Sequence, residues 1–462
     1  MSALHALAAT ELLALYRRGD ASPVEVTRAV LAHVDRWEPH LKATYALDAD
    51  KALAQARESE ARWRRGEPHA LDGVPVTIKE NIATESQPVP LGSAATELVA
   101  STWDAPPAAR MREAGAVLVA KTTMPDYGML SSGTSSFHPL TRNPWHLACN
   151  PGGSSAGAGA AAAAGYGPLH IGTDIGGSIR LPACWCGVFG LKPSLGRIPI
   201  KPSYAGRVAG PMTRSVTDAA LMLRTLVQPD WRDSMSLPPE PIDWLDLERD
   251  VKGLRIGLLR DAGWGLPVER EVLGAVDAAA TAFGAAGARV DEVKPFTTRE
   301  MAEGIERFWQ LRLWLDLVAL PAARRALALP FIVAWAERGA TLTGEQVFRG
   351  QAQMQAMRDA AVAACQPYHA VLSPVTPVVS FPAEWPAPTN DPSRSLEHIG
   401  FTLPYNMSEQ PACSVNAGYA SNGMPIGLQI AGRRFDDLGV LRIARAFERM
   451  RPAQRAWPEP PG

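Results

Sequence analysis

The sequence predicts an α/β fold, with one large mixed, mostly parallel-type sheet covered by helices on both faces. Three observations point there. Short apolar, β-branched runs alternate with helical patterns along most of the chain. Some runs, such as Ala116–Ala120 (AVLVA), carry no polar alternate, as strands buried on both faces do. The 462 residues, 46% hydrophobic and 20% charged, can bury a large core within an ordinary globular composition.

Helices open the chain. Ser22-Pro23-Val24-Glu25 reads as a capping box with proline at the first helical position. A second helix is expected from Ala49 to Arg65, stopped by Gly66. Asp72-Gly73 is a turn, and Val74–Ile78 a short buried strand that ends at Lys79. Pro107–Glu113 reads as helix and Ala116–Ala120 as strand. Ala156–Ala164 is strongly helix-forming, Leu169–Thr173 a strand, and Ser215–Val227 a helix. Residues 228–252 form a Pro- and Asp-rich excursion. Strand Leu254–Leu259, helix Val268–Ala286 and strand Arg289–Val293 follow. Residues 299–365 are mostly helical. Val371–Pro374, Ser414–Ala417 and Ile426–Ile430 are further buried strands, and Asp437–Met450 is the closing helix. The proline-rich tail after it is expected to be loose. The whole chain, 1–462, reads as one domain with its catalytic segment at 71–211 and a helical cap over the substrate pocket at 299–400.

The charge balance, 46 Lys and Arg against 47 Asp and Glu, gives no footprint for nucleic acid or an anionic membrane. Five cysteines (Cys149, Cys184, Cys186, Cys365 and Cys413) are too few and too odd in number for a disulfide framework, and fit a reducing cytosol. Cys184-x-Cys186 lacks the spacing of a zinc or redox motif. Met1–Gly19 lacks the basic start and apolar block of a signal peptide, and no stretch reaches the roughly 20 apolar residues of a membrane span. The expected location is therefore cytoplasmic.

Chemistry concentrates in two glycine-serine clusters and one lysine. In Ile175-Gly176-Gly177-Ser178, two glycines precede a serine, so the backbone can turn sharply and gather N–H groups. Such N–H groups can hold an oxyanion. Ser178 is the expected nucleophile, with the amides of Ile175, Gly176, Gly177 and Ser178 around it. The plainer reading is a turn with a capping serine. Pro151-Gly152-Gly153-Ser154-Ser155-Ala156-Gly157 admits three readings. A phosphate loop would need a Gly-Lys-Ser/Thr ending, which is missing. A nucleophile elbow, Gly153-x-Ser155-x-Gly157, would need a later Asp and His, and His170, His369 and His398 stand in no evident motif. The third reading makes Ser154 a relay between Lys79 and Ser178. Lys79 follows Val74, Val76 and Ile78, where a charged amine is costly to bury and burial lowers its pKa. A neutral amine could then serve as a base; the plainer reading is a lysine that reaches solvent.

Taken together, Lys79 in DGVPVTIKEN, Ser154 in PGGSSAG and Ser178 in GTDIGGSIRLPA resemble the amidase signature family of serine hydrolases. The resemblance covers nearly the whole chain, is strongest over Leu71–Pro211, and returns at Leu403–Gly432. Ala156 departs from it where glycine is common. It implies the amidase signature fold and hydrolysis of a small-molecule carboxylic amide with no metal or organic cofactor. Lys79 would be the base, Ser154 a relay that follows a cis peptide, and Ser178 the attacking group that forms an acyl-enzyme. It implies that Asp174 and Arg180 support the loop structurally. An acidic-substrate role for Arg180 ranks second, because the family's carboxylate-reading position is one residue later, at Leu181. Gly128, Met129 and Thr173 would bind substrate, with Asn81 and Met124–Met129 along the acyl side. Trp309, Trp314, Phe381 and Trp385 are candidates for aromatic walls. The family is compatible with a homodimer. Alternatives are the amidase subunit of a tRNA-dependent amidotransferase, a carbamate or ester hydrolase, and a binding protein with a vestigial site. The tyrosine-rich stretch of the amidotransferase component is missing here, and intact Lys79, Ser154 and Ser178 speak against a vestigial site.

Overall fold

Local signals set the helix ends. The Ser22 hydroxyl accepts from the Glu25 amide at 3.2 Å while the Glu25 carboxylate accepts from the Ser22 amide at 2.8 Å, which opens helix Pro23–Leu41. Helix Ala49–Arg65 closes on Gly66 in the left-handed conformation. The computed structural model describes residues 3–461; Met1, Ser2 and Gly462, which the single-domain and leader readings include, lie outside the described residues.

Eleven strands make one sheet: β1 (Thr44–Tyr45), β2 (Pro75–Lys79), β3 (Val117–Thr122), β4 (Leu169–Asp174), β5 (Phe189–Lys192), β6 (Val208–Thr213), β7 (Arg255–Leu258), β8 (Arg289–Glu292), β9 (Ala370–Pro374), β10 (Ala412–Tyr419) and β11 (Pro425–Gly432). Their order is β1-β3-β2-β4-β6-β5-β10-β11-β9-β7-β8. The mixed sheet matches expectation; its mostly parallel character does not. Only β2–β3, β2–β4, β7–β9 and β7–β8 are parallel. The other neighbours, including the whole centre from β4 to β9, run antiparallel. A wholly apolar strand reports burial on both faces, and here the antiparallel centre is covered on both faces too, so the pattern carries no strand direction. Strands β1, β5 and β6 were not anticipated: β1 is two residues long, and Gly190 and Gly210-Pro211 interrupt the apolar runs of β5 and β6.

On one face, Val76, Ile78, Ile171, Leu191, Leu428 and Ile430 pack in one apolar cluster with helices Val216–Leu226 and Asp437–Met450. Ala158, Ala162, Ile179 and Ala183, from helices Ala156–Ala164 and Arg180–Cys186 and the residue before the second, build the other side. Every residue of the alanine helix is buried. A Cβ at Gly157 would stand 2.2 Å from the Ala43 carbonyl oxygen, so the helix approaches only because that position is glycine. Helices Arg299–Val318 and Pro330–Glu337 pack Trp309, Leu313, Ile332 and Trp335 against Leu130, Leu181 and Trp185. The tail is irregular but not loose: Trp457 lies 4.5 Å from the Arg214 guanidinium and 5.9 Å from the Trp145 ring. Among the described residues, no helix is long and apolar enough to cross a membrane.

Candidate active site

Strand alternation gives β2 two unlike faces. Val76 and Ile78 point into the main core. Lys79 ends the strand, fully buried, where β2 and the neighbouring parallel β4 finish side by side. Helix Ala156–Ala164 begins beside it, after the cis Gly153–Ser154 peptide. The Lys79 Nζ donates to Ser154 Oγ at 2.7 Å, Ser155 Oγ at 3.1 Å and Thr173 Oγ1 at 3.1 Å. Among the described residues no carboxylate lies within 4.0 Å of it; the nearest charged influences are Arg207, Asp174 and Glu80. Burial, helped by the positive Arg207, holds the amine well below the usual lysine range, with Asp174 and Glu80 opposing.

The three hydroxyls differ in where their own protons go. Ser155 Oγ donates to the Thr173 carbonyl at 3.2 Å and accepts from the Thr173 amide at 3.2 Å. It meets no histidine. His170 bonds Thr77 and the Gly167 carbonyl, and burial lowers it to about 3; His369 bonds the Arg255 backbone; His398 is buried, also lowered to about 3. The elbow arrangement around Ser155 is therefore not assembled. Ser154 Oγ, by contrast, has Lys79 as its hydrogen-bond partner among the described residues.

The second cluster bends around Asp174. That carboxylate accepts from the Gly177 amide at 2.8 Å, the Ile179 amide at 3.1 Å and Asn406 Nδ2 at 2.9 Å. Arg180 grips it through Nε at 3.1 Å and Nη2 at 3.0 Å. The remaining Arg180 donors reach the Thr402 carbonyl, Gln429 Oε1 and Asn406 Oδ1. The guanidinium is thus fully occupied and buried, with nothing left for an acidic substrate. Arg180 holds Asp174 well below the usual carboxylate range. Gly177 has φ +127°, and a Cβ there would come within 2.6 Å of Thr402 Oγ1. Of the four amides anticipated as oxyanion donors, Gly177 already serves Asp174. Those of Ile175, Gly176 and Ser178 have no backbone or side-chain acceptor among the described residues.

Ser178 is half-buried and opens on a small recess with Gly128, Met129, Leu130, Gly176 and Trp309. Gly128 also backs onto Ser154, since a Cβ there would stand 3.3 Å from its Oγ. No hydrogen bond joins Ser154 to Ser178; the two clusters are tied instead by the Ser155 amide donating to the Ser178 carbonyl at 3.2 Å. Met129, Ile175 and Trp309 are shared with a cavity of about 900 Å³ that runs outward past Asn81, Tyr127 and Tyr204. Gly128 lines the recess, and Met129 lines both the recess and the cavity. Thr173, anticipated as a substrate contact, is 4% exposed and lines neither space. Its hydroxyl accepts from Lys79 and from Asn81 Nδ2 at 3.1 Å. Of the four aromatic candidates only Trp309 lines the cavity; Phe381 packs edge-on against Trp185, 5.1 Å away. Trp103, Tyr204 and Phe308 line it without having been anticipated, because no local pattern marks them.

Among the described residues, no group of three or more His, Cys, Asp or Glu side chains is placed to hold a metal ion. Cys184 and Cys186 are buried, and burial pushes the Cys184 thiol up to about 12.

A family model described as Amidase matches residues 25–441. The acylamidase of Rhodococcus erythropolis is 35% identical, over 97% of this chain and 96% of its own. A glutamyl-tRNA(Gln) amidotransferase subunit from Myxococcus xanthus (strain DK1622) is also 35% identical, over 95% of this chain and 96% of its own. A solved bacterial aryl acylamidase of the amidase signature enzymes family superposes with a TM-score of 0.89 at 29% identity, covering 97% of each chain.

Proposed function

The chain belongs to the amidase family of carbon–nitrogen bond hydrolases, and from that premise we propose that it cleaves a small carboxylic amide with Ser178, Ser154 and Lys79. The observation that carries this reading is the Lys79 amine, buried among three hydroxyls with no carboxylate within 4.0 Å among the described residues. An amine so placed favours its neutral form.

In this reading Ser178 Oγ attacks the carbonyl carbon. Its proton passes to Ser154, whose own proton passes to Lys79 Nζ. The oxyanion is met by the free amides of Ile175, Gly176 and Ser178, with Gly177 setting the turn. The resulting Lys79 ammonium returns the proton through Ser154 to the leaving nitrogen as the C–N bond breaks. That step is essential, because an unprotonated amide nitrogen leaves poorly. Water, activated by the same relay, then cleaves the acyl-enzyme. Ser154 and Ser178 must close to hydrogen-bond distance when substrate binds, and catalytic hydrogen bonds often tighten only in the complex. Asp174 and Arg180 hold the loop; Thr173 orients Lys79 and Asn81; Gly128 and Met129 meet the substrate. Residues 71–211 form the catalytic segment of a single domain, and 299–400 cap the pocket, supplying Trp309. Five free cysteines suit a cytoplasmic setting.

A second reading, as the amidase component of an amidotransferase, is favoured by the likeness to the Myxococcus protein. Turnover by the purified chain alone, over a panel of amides, carbamates and esters with Ser178→Ala as control, separates the two. The proposal expects amide hydrolysis that the control lacks; no amide turnover by the isolated chain would overturn it.

A further inference from the structure

The large cavity holds two guanidiniums whose hydrogen-bond donors the catalytic chemistry does not use, although the charge of Arg207 also helps to depress Lys79. Arg207 and Arg312 both stand over the Tyr204 ring, 5.3 Å and 5.1 Å from its centroid, and both line the cavity. Arg207 ends the loop just before β6 and is buried, only 5% exposed. Arg312 comes from helix Arg299–Val318 and is half-buried. A guanidinium carries five N–H donors. Among the described residues, Arg207 gives one of them to the Pro202 carbonyl, and no side chain takes the rest. Arg312 reaches only the Met129 sulfur, at 3.9 Å.

Neither guanidinium has a carboxylate within 4.0 Å among the described residues, unlike Arg180 with Asp174 and Arg197 with Asp437. The acids nearby are engaged or peripheral. Asp233 accepts from the Ile200 and Met235 amides at 2.9 Å and 2.8 Å. Glu409, on the cavity wall, is bridged to Arg358 and Arg434. Asp316, one turn beyond Arg312, also lines the cavity but is exposed at its rim and lies more than 4.0 Å from either guanidinium. Two cations that repel each other, one of them buried, cost free energy unless an anion joins them. The cavity shares Met129, Ile175 and Trp309 with the recess of Ser178, so a molecule filling both would place one end against the arginines.

We infer that the amide this chain accepts carries a carboxylate, bound by Arg207 and Arg312 over Tyr204 while the scissile bond lies at Ser178. This rests on the amidase reading above. It also moves acid recognition away from Arg180, whose donors are all taken.

The test compares kcat/KM for three anilides: adipic acid monoanilide, with the carboxylate on the acyl side; N-hexanoyl-4-aminobenzoate, with it on the amine side; and neutral hexananilide. One carboxylate substrate should outrun the neutral one, and which one reports the side that enters the large cavity. That ratio should fall about tenfold or more in Arg312→Gln and be largely kept in Arg312→Lys, as a charge-assisted contact predicts. Arg207→Gln should act alike where it folds; the half-buried Arg312 gives the safer variant. No preference for either carboxylate, or a preference unchanged by Arg312→Gln, would overturn the inference. Should the wild type cleave no anilide, the amidase reading is what suffers, and calorimetric binding of adipate decides this one. Binding weakened about tenfold by Arg312→Gln supports it, and no binding to wild type overturns it.

Discussion

Lys79 and Lys121 sit on neighbouring parallel strands, both fully buried, and burial depresses both amines, Lys121 to about 7. Their partners separate them. The Lys121 Nζ donates to the Ile82 carbonyl at 2.5 Å and to Thr84 Oγ1 at 3.1 Å, and that hydroxyl gives its own proton to Ile82 at 3.2 Å. Both partners act as acceptors, so the site suits an ammonium and would strand the lone pair of a neutral amine. Around Lys79 every partner is a hydroxyl, and Ser154, the nearest, has no other acceptor for its proton among the described residues. That bond can reverse its direction as the proton moves. In the proposed mechanism, burial alone would not make a lysine a base; its partners must be able to donate as well as accept.

The largest effect is expected from Lys79→Met, which should cost about 10³-fold in kcat/KM while circular dichroism stays that of a folded chain. A loss below tenfold would put Lys79 and Lys121 in the same class. Next comes the pH profile of kcat/KM. The Lys79 amine is neutral above its depressed folded value, so the rate should rise about tenfold per pH unit on an acid limb and then level. Lys79→Met should lack that limb. In stability, the folded state's penalty for this amine is absent above its ordinary 10.5 and full below the folded value, so wild type should gain stability with rising pH relative to the variant. Lys121→Met should act on stability, by about 1 kcal/mol in chemical denaturation, because the Ile82 carbonyl loses the closer of its two donors and keeps only the Thr84 hydroxyl. Its turnover should change less than tenfold. The smallest effect is expected from Ser155→Ala: its proton is committed to the Thr173 carbonyl, so turnover should fall by no more than about tenfold.

Helices were legible where their ends are local chemistry: the Ser22 capping box and the Gly66 stop need only neighbours in sequence. Strand direction was not, because β4, β6 and β5 are paired by the tertiary arrangement and each is buried whichever way it runs. The same division holds in the site. Lys79, Ser154 and Ser178 stood out because each lies in a motif whose glycines the backbone requires. That Thr173 lines neither space was not legible, because it depends on which way its hydroxyl points, toward Lys79 and Asn81. The Arg207–Tyr204–Arg312 grouping was invisible, since it joins a loop and a helix far apart in the chain and neither arginine sits in a motif.

In the proposed mechanism, Ser178, not Ser155, carries the acyl group. Treating the protein with a fluorophosphonate and mapping the adduct by peptide mass spectrometry reads this directly. One adduct is expected, on Ser178, lost in Ser178→Ala and kept in Ser155→Ala; an adduct on Ser155, or labelling that survives Ser178→Ala, would overturn the assignment.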